Sequence, residues 1–190
     1  MAERTALRGL FPTEHRGIVL RPLGAEDAEE YAAGTRDPEV ARFAHLPLPE
    51  YTPDTVRRIA AWEVPKGLDS GDLAVLSIVD ADGGGFLGSL VLFDITEHQA
   101  EVGFWIAPGA RGRGVAVRAV AAAASSARAL GLTSLVARTA EDNRASQRTL
   151  AAAGFTRTGD AEETTAPSGR KAVTLRYRLD LTGPAGPDPA

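Results

Sequence analysis

The hexapeptide Arg111-Gly112-Arg113-Gly114-Val115-Ala116 joins an apolar run, Val102 to Ala107, to a helix-forming run from Val117 to Leu130. A strand, a glycine-rich turn and a helix in that order aim several free backbone N–H groups at one anion. The first N–H groups of a helix have no partner within it, and the aligned peptide dipoles add a partial positive charge there. Gly112 and Gly114 let the backbone approach a ligand with no Cβ in the way. Arg111 and Arg113 add donors that match phosphate oxygens. The segment reads as a site for a phosphate-bearing cofactor. Taken alone, a basic solvated turn before an ordinary helix accounts for it about as well. Two familiar phosphate loops do not apply. No G-x-x-x-x-G-K-[ST] is present, and G-x-G-x-x-G is half filled, with Val117 in place of its last glycine.

Other residues of chemical interest flank this loop. Glu101 enters the preceding strand, where Glu101, Gly103 and Trp105 share one face and Val102, Phe104 and Ile106 the other. A carboxylate there can take a proton from an amine, directly or through water. It can equally be a solvated or ion-paired strand end. Glu97 and His98 are nearby alternatives, and a lone loop histidine is more often structural. His15 and His45 carry less weight, although His45 lies in a loop that could wall an acceptor site. Tyr31 could do the same from the first helix, though core packing accounts for it better. Downstream, Asp142 or Asn143 is placed to cap a helix, and Ser146 stands within its first turn.

The combination resembles the GNAT acetyltransferase superfamily. That family's pyrophosphate loop reads [QR]-x-x-G-x-[GA], and Arg111, Gly114 and Ala116 fill its defined positions. Ala100 to Ile106 is similar to the family's fourth strand. Asn143-Arg144-Ala145-Ser146 followed by Gly154-Phe155 is similar to its N-x-x-[AS] and G-F signature, most of all in the branch of ribosomal-protein N-terminal acetyltransferases. The resemblance is sharp from Ala100 to Phe155 and loose from Ile18 to Asp180.

It implies acyl transfer from acetyl-coenzyme A (acetyl-CoA) to a primary amine, with cofactor contacts from the 111–116 loop and from backbone near Trp105 and Ile106. Those contacts fall where the family's fourth and fifth strands splay apart. Core packing remains the better account of the Trp105 and Phe104 side chains. The resemblance also implies a cofactor-arm contact from Asn143, which can cap its helix at the same time. It implies Ser146 as the group that protonates the leaving thiolate, against a first-turn serine with no such task. Many members use a tyrosine four residues before the glycine of the G-F pair. That position is Leu150 here, which leaves Ser146 or water. Glu101 is the candidate base.

These residues need elements to hold them. Short strands are expected at 18–23, 73–79, 86–93, 101–106 and 135–139, with a closing pair at 155–158 and 173–181. Helices are expected at 25–33, from the Thr52-Pro53 cap to about 64, from 114 to 130, and from 143 to Gly154. Arg36 to Thr52, with three prolines, reads as loop. The pattern is mixed α/β. With the resemblance, it implies a mostly antiparallel twisted sheet with about four flanking helices. One domain at 16–182 is expected, preceded by a poorly ordered 1–15 and followed by a disordered 183–190.

Composition narrows the class. Hydrophobic residues make up 44% of 190, enough for a core, and the net charge of -4 disfavours binding nucleic acid through a basic surface. There is no cysteine, hence no disulfide and no thiol ligand, and no metal is expected. No membrane span or signal peptide is read, so a cytoplasmic protein is expected. The 19 Arg against 2 Lys look like the usage of a GC-rich, bacterial genome. Dimers are common in the resembled family, so a homodimer is within what it implies. An α-amine of pKa near 8 is roughly 10% neutral at pH 7, whereas a lysine near 10.4 is below about 0.1%. That favours a peptide N-terminus or a small low-pKa amine as acceptor. A non-catalytic acyl-CoA-binding sensor domain, or a transferase using another acyl-CoA, are the alternatives.

Overall fold

The computed structural model describes residues 7–44, 46–165 and 171–183. Its centre is an eight-stranded sheet in the order β1-β2-β3-β4-β5-β6-β8-β7, comprising β1 (Thr13–His15), β2 (Ile18–Pro22), β3 (Ala74–Asp80), β4 (Phe86–Phe93), β5 (Gln99–Ile106), β6 (Ser134–Ala140), β7 (Thr156–Thr165) and β8 (Lys171–Asp180). Every neighbouring pair is antiparallel except β5 with β6, which run parallel. The mixed α/β class and mostly antiparallel sheet match what the sequence leads one to expect.

The helices lie at α1 (Ala28–Thr35), α2 (Pro38–Phe43), α3 (Pro53–Arg58), α4 (Val64–Ser70), α5 (Val115–Ala129) and α6 (Arg144–Ala152). A π turn, Ile59–Glu63, joins α3 to α4, with Val64 N–H bonded to the Ile59 carbonyl five residues back. Residues 53–70 therefore form one rod, which runs beyond the expected end at 64. Pro65 sits at the second position of α4, directly after the π segment.

Leu20, Leu76, Ile78, Leu90 and Leu92 are essentially fully buried in the sheet. α5 contacts β1, β2 and β5, and its buried Ala119, Ala122, Ala123 and Ala127 let it approach closely while keeping high helix propensity. α1 is held by a buried polar knot. Arg21 donates to both Asp27 oxygens at 2.8 and 2.7 Å, and Ser77 Oγ donates to Asp27 at 2.6 Å.

Three expectations are corrected. Residues 7–15 are ordered structure: Leu7 is buried, Arg8–Leu10 form a 3-10 turn, and β1 pairs with β2. The period of a three-residue edge strand is too short to read. Pro38–Phe43 is helix rather than loop, because Asp37 caps it by accepting from the N–H groups of Glu39 and Val40, with Pro38 at the first position. Gly34 lies inside α1 rather than ending it. A Cβ there would sit 2.5 Å from Trp105 Cζ3, so the glycine makes room for the indole. The expected disorder of 1–6 and 184–190 lies outside the described residues.

Gly88 positions β5. Its φ is 153°, and a Cβ there would meet the Trp105 carbonyl oxygen at 2.3 Å and Ile106 Cα at 2.9 Å. We expect Gly88→Ala to destabilise the fold by about 1–3 kcal/mol in denaturant titration. An unchanged midpoint would show that β5 does not depend on that close approach.

Candidate active site

β5 and β6 pair at Gln99↔Ser134, Ala100↔Leu135 and Glu101↔Val136, and then part. Past that point the edges of the two strands face a gap. Ala107 N–H bonds to the Leu87 carbonyl, so its backbone groups turn towards β4. By alternation those of Val102, Phe104 and Ile106 turn towards the gap, while those of Gly103 and Trp105 turn towards β4. The expected pair of backbone contacts at Trp105 and Ile106 is therefore divided. The Trp105 carbonyl is the group that crowds Gly88, and Ile106 faces the opening.

The gap opens into one cleft of about 1270 Å³, larger than the roughly 300–1,000 Å³ of a single-ligand pocket. At one mouth stand Arg111, Gly112, Gly114, Val115 and Ala116. Gly112 and Gly114 have φ of 73° and 69°, and a Cβ on either would meet nothing within 4 Å. This left-handed turn leads directly into α5. Among the described residues, the N–H groups from Gly112 to Ala116 donate to no backbone carbonyl. They form an open cradle of donors at a helix N-terminus, suited to an anion.

The two arginines behave differently from simple phosphate donors. Arg111 Nε donates to the Ile106 carbonyl at 3.2 Å, and its Nη2 pairs with Asp37 Oδ1. That pair, together with the capping N–H groups, holds the Asp37 carboxyl below the usual carboxylate range. Arg111 thus ties the loop to the cap of α2. Arg113 does not line the cleft; its carbonyl accepts from Arg118 at 3.3 Å.

On the α6 side, Asn143 Oδ1 accepts from Ser146 N–H at 3.1 Å, so the cap reading of Asn143 holds geometrically, and both residues line the cleft. Leu150 is fully buried. Thr139, on β6 past the fork, also lines the cleft, and its buried Oγ1 has no hydrogen-bond partner among the described residues. The oxygen has almost no accessible surface, so it is enclosed within the cleft wall rather than presented to the opening. Nothing in its spacing marks it in the sequence.

At the base of the fork sits Glu101, 9% exposed. Its Oε1 accepts from Arg138 Nε at 2.8 Å, and the carboxylate raises the guanidinium pKa. This pair follows from the parallel register, which puts residues 101 and 138 on one face, and so it was invisible before the strands were paired. Trp105 packs edge-on against Tyr31 at 5.2 Å, with Tyr51 5.7 Å from Tyr31. Burial raises the pKa of the Tyr31 hydroxyl, so it stays protonated. Glu97 and His98 do not line the cleft, and the His98 carbonyl bonds to the Thr133 and Ser134 N–H groups. His45 lies outside the described residues. Among those described, no cluster of three or more His, Asp or Glu could hold a metal, and no helix is long and apolar enough to cross a membrane.

Residues 18–156 match the model of the acetyltransferase (GNAT) domain. This chain belongs to the GNAT acetyltransferase family. It is an acyltransferase, and its acyl donor is acetyl-CoA. No curated protein matches its sequence closely enough to count as a relative. Solved structures share the fold. The ribosomal-protein-S5-alanine acetyltransferase of Vibrio fischeri is 19% identical, covering 89% of this chain and 96% of its own, with a TM-score of 0.75. RimJ of Mycobacterium smegmatis, in complex with CoA-disulfide, is 20% identical over 86% and 81%, at 0.75. Spermidine N-acetyltransferase of Vibrio cholerae, in complex with CoA and spermine, is 20% identical over 87% and 96%, at 0.72.

The residues present fit such a donor. The cradle before α5 offers N–H groups to a pyrophosphate, and the open β5 edge offers partners to an amide-bearing arm. Gly114→Asp would put a side chain on a left-handed residue and a negative charge at the cradle. We expect it to abolish acetyl-CoA binding in calorimetric titration; wild-type affinity would rule the cradle out.

Proposed function

We propose that this acetyltransferase moves the acetyl group of acetyl-CoA onto the nitrogen of a primary amine, either a peptide N-terminus or a small molecule. The observation that carries the reading is the fork. It places a carboxylate, Glu101, at the base of a gap whose mouth is an anion cradle. The likeness to structures described as acting on a ribosomal protein and on spermidine supports an amine acceptor in general.

In this reading the loop from Gly112 to Ala116 holds the pyrophosphate through backbone N–H groups. The open edge of β5 at Phe104 and Ile106 aligns the pantetheine arm as an added strand and orients the thioester, and Asn143 flanks it. Fixing both reactants in one cleft removes most of the entropic barrier to their encounter. The acceptor arrives as an ammonium ion and gives one proton to solvent through Glu101, directly or by way of water. The neutral nitrogen attacks the acetyl carbon. The nitrogen–carbon bond forms as the carbon–sulfur bond breaks. The nitrogen's second proton leaves as Ser146, backed by water, protonates the thiolate. The products are an amide, a free thiol and one proton. Arg138 holds Glu101 in place.

The direct test is thiol release from acetyl-CoA across a panel of primary amines. An amine that accelerates release and appears acetylated by mass spectrometry is the expected result. Tight cofactor binding with no amine-dependent release would instead favour a sensor domain. Ser146→Ala should lower kcat by about tenfold or more with little change in acetyl-CoA affinity, and wild-type turnover would remove Ser146 from the chemistry. Glu101→Gln should lower kcat/KM and move the rising limb of its pH profile. An unmoved limb at normal rate would leave water or the substrate to lose the proton.

A further inference from the structure

The acceptor end of the cleft has a chemistry of its own. We propose that its amine is borne on a bulky apolar or aromatic body with a single positive charge, not on a polyamine or a small N-terminal residue. The inference rests on the acetyltransferase reading above and specifies its acceptor.

The sheet side of this arm presents Val75, Val91 and Phe93, brought side by side by the registers Val75↔Val91, Val91↔Gly103 and Phe93↔Glu101. The opposite side presents Phe43 from α2, Leu46 from the following loop, and Ile59 from the π turn. All six are only partly buried, so each leaves apolar surface facing the cavity. Tyr31, Tyr51 and Trp105 close the inner end. Gly103 contributes no side chain between Glu101 and Trp105, and a Cβ there would come within 3.2 Å of Val91 Cγ1. The space beside Glu101 therefore exists because a side chain is missing.

Charge is distributed differently. Glu39, Glu63, Asp94 and Arg58 line the same cleft and are exposed, and Arg138 reaches in to pair with Glu101. The one buried charged group of this arm among the described residues is Glu101. A polyamine lying along the hydrocarbon walls leaves each ammonium that does not reach the exposed Glu39, Glu63 or Asp94 unpaired, where a cation is strongly disfavoured. A single ammonium needs one acceptor, and Glu101, bonded to Arg138 through Oε1, keeps its second oxygen to offer. A methyl or hydroxymethyl side chain would leave most of the two walls uncovered. A phenyl or indole group, which buries roughly 150–250 Å² as a side chain, would cover them. The same chemistry is found in free arylalkylamines and in peptides that begin with an aromatic residue.

The test compares kcat/KM at saturating acetyl-CoA for phenethylamine, a short peptide beginning with Phe, the same peptide beginning with Ala, and spermidine. At least one aromatic acceptor should exceed both the Ala peptide and spermidine by about tenfold or more, and the better of the two identifies the source. Ile59→Asp should erase that preference while leaving acetyl-CoA affinity unchanged; Phe43→Ala serves if the first variant misfolds. Equal or higher kcat/KM for the Ala peptide or spermidine overturns the inference and leaves the acetyltransferase reading standing. Normal acetyl-CoA binding with acetylation of none of the four overturns both.

Discussion

Two parallel strands that stop pairing after three residues leave a row of backbone donors and acceptors without partners in the middle of a sheet. Buried peptide groups in that condition are costly unless something else bonds them. The rest of the site is arranged around this gap. β4 and β8 hold the far edges of the two strands, so neither can rotate to close it. The Ile106 carbonyl is already taken by Arg111, and the remaining groups line a slot of strand-like geometry. A ligand that carries amide groups along an extended chain can complete the ladder, and the sheet then becomes continuous only when it is loaded.

Arg111 connects the two halves of the cleft. Its guanidinium joins the end of β5 to the cap of α2, so the proposed anion loop and the helix beside the proposed acceptor arm share one ion pair. In the proposed reading the phosphate would be met by backbone N–H groups, whose direction is set by two left-handed glycines and the start of α5. Such groups need no side-chain ordering when the ligand arrives.

Much of this architecture was legible in the residues. The strand–loop–helix from Ala100 to Leu130, the caps at Asn143 and Gly154, and the β3–β4 hairpin all rest on local signals: alternation, turn chemistry and helix punctuation. What escaped was short or non-local. α2 was hidden by three prolines in its neighbourhood, although Asp37-Pro38 is itself a helix start. The Glu101–Arg138 pair needs a strand register that no local pattern encodes. Gly34 was misread because glycine ends helices far more often than it clears space for a ring across an interface. Thr139 is an ordinary strand threonine, and the enclosure of its unpartnered hydroxyl is a matter of tertiary packing that no local pattern encodes.

The π turn at 59–63 has an evolutionary consequence. Each residue added to a helix rotates everything after it by about 100°. A π turn absorbs one such addition within a single turn. Here it directs Arg58, Ile59 and Glu63 to the cleft and leaves Trp62 73% exposed. Gaining or losing one residue in this rod would re-index the acceptor wall while the sheet, the cradle and Glu101 stay where they are. Acceptor preference could then drift through single-residue insertions and deletions, uncoupled from the machinery of acyl transfer.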